Sequence, residues 1–88
     1  MMNNLIFSPD GWSDYLYWQS EDKKTLKRIN QLIQDILRNG PSDGIGKSES
    51  LRYMQGWSRR IDQKNRLIYT VDNGQLLVLS CRGHYEDI

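Results

Sequence analysis

The chain has one cysteine, one histidine and two prolines in 88 residues. A lone thiol, Cys81, excludes an intramolecular disulfide framework, and a single imidazole, His84, leaves no Cys/His set to hold a metal. No apolar run approaches the ~20 residues of a membrane-spanning helix. The first residues also lack the basic-then-apolar pattern of a secretory signal. Repeats, linkers and low-complexity tracts are missing as well. The expectation is one domain over residues 1–88, reduced and cytoplasmic, working without metal or cofactor.

Charge is scarce in net terms but segregated. Residues 1–50 carry six Lys/Arg against seven Asp/Glu, whereas residues 51–85 carry six against only Asp62 and Asp72. The second half is therefore basic by +4, before Glu86 and Asp87 offset part of it. Such segregation focuses field on a phosphate-bearing partner.

The pattern of apolar residues changes period along the chain. Asn4 to Phe7 reads as a strand. Ser8-Pro9-Asp10 then marks a helix start: a capping hydroxyl, a proline suited to the first turn, and an acid at the positive end of the dipole. Trp12, Tyr15, Leu16 and Gln19 follow a helical stripe, which Tyr17 and Trp18 widen. Ser20 is the expected cap of a second helix, on which Leu26, Ile29, Leu32, Ile33, Ile36 and Leu37 recur at spacings of three and four. Arg38-Asn39-Gly40-Pro41 ends it. The segment from Pro41 to Ser50 reads as a loop.

Beyond the loop the period is two. Residues 51–54, 57–61, 66–71 and 75–82 read as strands, with Asp72-Asn73-Gly74 as a tight turn. The fold class expected is α+β: an N-terminal strand, then a two-helix hairpin packed on one face of a twisted antiparallel sheet. A turn at Asn73-Gly74 sets Val71 against Leu76, Tyr69 against Val78 and Leu67 against Ser80. Arg66, Ile68, Thr70, Leu77, Leu79 and Cys81 then share the other face. Cys81 is expected to be a small packed residue there, not a nucleophile.

Cutting RNA without metal requires a base for the 2′-hydroxyl, an acid for the departing 5′-oxygen and cations for the phosphate. His84 is the side chain best poised near neutral pH, and it follows an arginine-rich segment. Arg59-Arg60 lies mid-strand, so one arginine must point to each sheet face.

Several ordered stretches resemble the YoeB/Txe group of bacterial toxins, within the wider RelE-like fold. They are Asp14-Tyr15-Leu16-Tyr17-Trp18-Gln19, Lys27-Arg28-Ile29-Asn30, Gly44-Ile45-Gly46-Lys47, Trp57-Ser58-Arg59-Arg60-Ile61, Asn65-Arg66-Leu67-Ile68-Tyr69 and His84-Tyr85. The resemblance implies a ribosome-dependent messenger-RNA endonuclease, held inactive by a cognate YefM-like antitoxin. It implies Glu49 as general base, His84 as general acid and Arg66 as a phosphate-binding arginine. Tyr85 matches a residue that positions the nucleotide or the acid, and Arg60 a second phosphate contact. Arg59, Arg52 and Lys47 complete the expected RNA-contacting set. A homodimer is compatible with the resemblance, and operator DNA is expected to be met only through the toxin–antitoxin complex.

The chain departs from the group in places. Lys47-Ser48-Glu49-Ser50-Leu51 stands where relatives have Lys-Pro-Glu-Pro-Leu, so the backbone beside Glu49 is freer. The stretch from Leu51 to Trp57 is about two residues short, Lys64 replaces a carboxylate, and Glu86-Asp87-Ile88 extends the end. A symmetric turn at Asp62–Asn65 would pair Ile61 with Arg66 and bring Arg59 to the face of Arg66, whereas the resemblance points to Arg60. The alternative function on this fold is a protein-binding toxin like the gyrase-inhibiting ParE group, which has no need of the Glu49, Arg66, His84 and Tyr85 set.

Overall fold

The computed structural model describes residues 2–83. Strand β1 (Asn4–Phe7) leads into helices α1 (Pro9–Glu21) and α2 (Lys23–Asn39). Strands β2 (Glu49–Ser50), β3 (Trp57–Arg60), β4 (Arg66–Asp72) and β5 (Gln75–Ser80) follow. The five strands form one sheet in the order β1-β5-β4-β3-β2. β1 runs parallel to β5 and all other pairs are antiparallel, so the sheet is mixed and not wholly antiparallel.

Local chemistry explains the helices. Ser8 caps α1 by accepting from the Gly11 amide at 3.0 Å, and its own hydroxyl donates to the Leu79 carbonyl, which ties the cap to β5. α1 continues through Ser20 and Glu21, so Ser20 does not cap α2. Asp22 does, with its carboxylate accepting from the Lys24 and Thr25 amides and the Thr25 hydroxyl. Asp22 alone joins the two helices, and Tyr15 bonds Asn30 across the hairpin at 2.7 Å. The buried line of α1 is Gly11 and Trp18, while Trp12 and Leu16 of the expected stripe are exposed. Trp12 stacks instead on Tyr15 and leans on Phe7.

Ile29, Leu32, Ile33 and Ile36 of α2 pack with Leu67, Tyr69, Leu76 and Val78 of the sheet. Each such side chain contributes about 2 kcal/mol by leaving water. Val71 pairs with Leu76 and Tyr69 with Val78, but the register then shifts and Ile68, not Leu67, meets Ser80. The extra residue in β5 reverses which side chains face inward. Cys81 is therefore in the core with Leu67, not on the face of Arg66. Residues 51–54 are not a strand: the Leu51 amide bonds the Gly56 carbonyl and closes a tight loop between β2 and β3.

Candidate active site

The sheet face turned away from the helices gathers the polar groups. Glu49 pairs in register with Ser58, and Arg60 with Arg66, so all four share that face. The Arg66 guanidinium donates from Nη2 to Glu49 Oε1 at 3.1 Å and from Nε to Ser58 Oγ at 3.1 Å. Arg66 is largely covered, at 13% side-chain exposure, while Glu49 is open at 70%. A fixed cation thus sits beside a reachable carboxylate. The register follows from the turn: Ile61 bonds Asn65, which leaves a three-residue loop of Asp62, Gln63 and Lys64. Asp62 holds that loop by accepting from the Lys64 and Asn65 amides.

Arg59 points the opposite way and is fully buried. Its Nη1 meets Asp35 at 2.5 Å and the Ile45 carbonyl at 2.9 Å. Its Nη2 reaches the carbonyls of Gly40, Pro41 and Asp43, and Nε donates to the Tyr69 hydroxyl at 2.9 Å. Every N–H of the guanidinium is engaged, which is how a buried arginine is tolerated. The expectation that Arg59 contacts RNA is corrected by this burial: the side chain holds the loop from Gly40 to Ser48 that delivers Glu49. Burial works to raise the Asp35 carboxyl. The Arg59, Asn39 and Ile45 donors outweigh it and hold the group below its ordinary value.

Three elements converge on the end of the described chain. Trp18 Nε1 donates to the Cys81 carbonyl at 2.8 Å, and the Cys81 amide donates to Asp14. Arg82 lies over the Tyr17 ring at 3.5 Å. Gly83 is gripped on both sides, its amide by Asn65 Oδ1 at 2.8 Å and its carbonyl by the Arg66 amide at 3.0 Å. His84 and Tyr85 lie outside the described residues. Burial and the Asp14 charge push the Cys81 thiol up to about 12, which suits a packed group and not a nucleophile.

Lys47 is exposed, with a left-handed φ of 51°, two residues ahead of Glu49. Arg60 is exposed directly across from Arg66. Arg52 lies farther along the hairpin, its guanidinium 5.9 Å from the Tyr53 ring centre. It lines an open groove of about 860 Å³ with Ser50, Tyr53, Trp57 and Asp72, which Arg66 and Ser58 do not line.

The model of the YoeB-like toxins of bacterial type II toxin–antitoxin systems matches residues 7–85. The chain belongs to this family. It is 49% identical to Toxin YoeB of Escherichia coli K12, with 92% of this chain and 98% of that protein covered. It superposes on a YoeB dimer structure from Staphylococcus aureus with a TM-score of 0.89 and 46% identity, over 97% of this chain and all of that one. A heterotetrameric YoeB–YefM complex from the same organism gives 0.87 and 45%, over 97% and 99%. The chain is thus the toxin of a type II toxin–antitoxin system on an α+β, RelE-like fold.

In this YoeB-like toxin some contributors carried only weak marks in the sequence. Ser58 accepts from Arg66, and strand alternation around Arg60 was the signal that put it on the same face. Asn65 holds Gly83, and Ser48 holds the loop before Glu49; neither residue type announces such a role. Asp35 is one carboxylate on the flank of an amphipathic helix, legible only once Arg59 is known to point inward.

Proposed function

We propose that this toxin is an endoribonuclease that cuts messenger RNA on the ribosome by acid–base chemistry. The observation that carries the reading is the 3.1 Å contact between exposed Glu49 and well-held Arg66 on the sheet face turned away from the helices. A guanidinium matches a phosphate in geometry and charge, so Arg66 marks where the scissile group sits. Glu49, beside it, is within reach of the adjoining ribose. Incoming phosphate takes the Arg66 donors, and Glu49 is released toward the 2′-hydroxyl. Glu49 removes that proton, the 2′-oxygen attacks phosphorus, and the bond to the 5′-oxygen breaks as that oxygen takes a proton from His84. The products are a 2′,3′-cyclic phosphate and a 5′-hydroxyl. Arg66 and Arg60 stabilise the charge growing on the phosphate, Tyr85 positions the nucleotide, and Lys47 and Arg52 contact the RNA backbone.

The Staphylococcus aureus relatives assemble with YefM and as a dimer. By the same reading this toxin takes a YefM-like antitoxin whose acidic segment covers the arginines, forms a homodimer, meets operator DNA through the toxin–antitoxin complex, and works in the cytoplasm. Mapping 5′ ends on translated message tests the activity. The wild-type protein is expected to cut, with Glu49→Ala and His84→Ala each slower by about 100-fold or more. A doubly substituted protein as fast as wild type would overturn the assignment, and inhibition of supercoiling without cleavage would favour the ParE-like alternative.

A further inference from the structure

Glu49 sits at the end of a nine-residue connection that has no helix or strand of its own, from Gly40 to Ser48. The carboxylate is flanked by Ser48 and Ser50, neither of which restricts φ as a proline would. The structure nevertheless closes the connection on itself. The Ser48 hydroxyl donates to the Pro41 carbonyl at 2.7 Å, which joins the loop's last residue to its second. The same carbonyl accepts from the Tyr69 hydroxyl at 2.6 Å and from Arg59 Nη2 at 3.4 Å. Tyr69 is in turn the acceptor of Arg59 Nε. Both ends of the loop are thus fastened to two buried side chains of β3 and β4. The Arg60 amide adds a bond to the Gly46 carbonyl at 2.7 Å. Gly44, at φ +113°, lets the chain pass so close that a Cβ would strike Asp35.

We infer that the Ser48 hydroxyl, with Tyr69 and Arg59, is a positioning device for Glu49, supplying by hydrogen bonding the stiffness that this loop's backbone lacks. The Ser48 hydroxyl faces Pro41 and Tyr69, so it acts on Glu49 through the backbone the two residues share. The inference rests on the nuclease reading above. A hydroxyl at position 48 restrains the loop without restricting φ, which accommodates the left-handed Lys47 just before it.

The test is single-turnover cleavage by the full chain on translating ribosomes, with amide hydrogen exchange alongside. Ser48→Ala is expected to lower the cleavage rate about tenfold with KM within about twofold, because a small misplacement of a catalytic group costs rate more than binding. Ser48→Thr, which keeps the hydroxyl, restores the rate. In a Glu49→Gln background, Ser48→Ala is expected to cause no further loss, since its effect passes through the missing base. The amides of Ile45 and Arg60, bonded to Asp35 and to Gly46, should exchange faster in Ser48→Ala at unchanged melting temperature. Tyr69→Phe should repeat the rate loss by removing the second hydroxyl. Wild-type kinetics for Ser48→Ala, or an equal loss in both backgrounds, would overturn the inference alone. Equal cutting by wild type and Glu49→Gln would overturn the nuclease reading and the inference with it.

Discussion

Removing the Arg59 side chain would leave Asp35, largely covered at 16% exposure, without its cation and would strip donors from four loop carbonyls. Arg59→Ala is expected to cost about 3–5 kcal/mol in urea denaturation, the range for breaking one side of a buried ion pair. Arg59→Lys should rescue little, because an ammonium cannot span acceptors laid out for a planar fork. Arg60, its neighbour in the chain, is exposed. Arg60→Ala should alter stability by less than about 0.5 kcal/mol while weakening RNA association. An Arg60→Ala protein that unfolds as readily as Arg59→Ala would contradict the facing of this pair. Cys81 gives a further check at this scale: its thiol is buried and raised to about 12, so it should resist alkylation at pH 8 until the chain unfolds. Rapid labelling of the folded protein would place it at the surface.

The helices and the hairpins depend on a few junction residues. Ser8→Ala removes both the cap of α1 and the bond to Leu79, and should cost about 1 kcal/mol in thermal or chemical unfolding. Gly11→Ala runs against propensity: alanine favours a helix, yet a Cβ at this position would strike the Val78 carbonyl. It is expected to destabilise, and a higher melting temperature would refute the close approach of α1 to β5. Element types were largely legible because period, caps and turns are local signals. The bulge in β5 was not, since no sequence mark separates Leu79 from its neighbours, and one added residue exchanged the faces of Ser80 and Cys81. The loop after Leu51 was misread because its alternating apolar residues imitate a strand too short to pair. At the site, the facing of Arg60 and Arg66 hung on whether the turn held three residues or four, which only the Asp62 side chain reveals.

Among the described residues, three carboxyls, Asp22, Asp35 and Asp62, are held below their ordinary value of 3.8. Asp22 is lowered chiefly by the Thr25 hydroxyl. Asp35 and Asp62 are raised by burial but lowered more by their donors, Arg59 and Asn65 foremost. In each case the folded state binds protons less readily than the unfolded chain. The stability they confer is complete above the ordinary value and is lost as pH falls through the lower folded values. Melting temperature is therefore expected to hold steady at mildly acidic pH and fall below about pH 4; a rise on acidification would reverse the sign. The parallel pairing of β1 with β5 also bears on time. Residues 4–7 leave the ribosome about seventy residues ahead of their partners, residues 75–78. Until those partners are made, the nascent polypeptide carries an apolar strand with no sheet neighbour. The arginine that meets Glu49 is likewise made after it, 17 residues on. The contact between Glu49 and Arg66 therefore waits on topology: no part of the growing chain holds it until β3 and β4 have closed their hairpin.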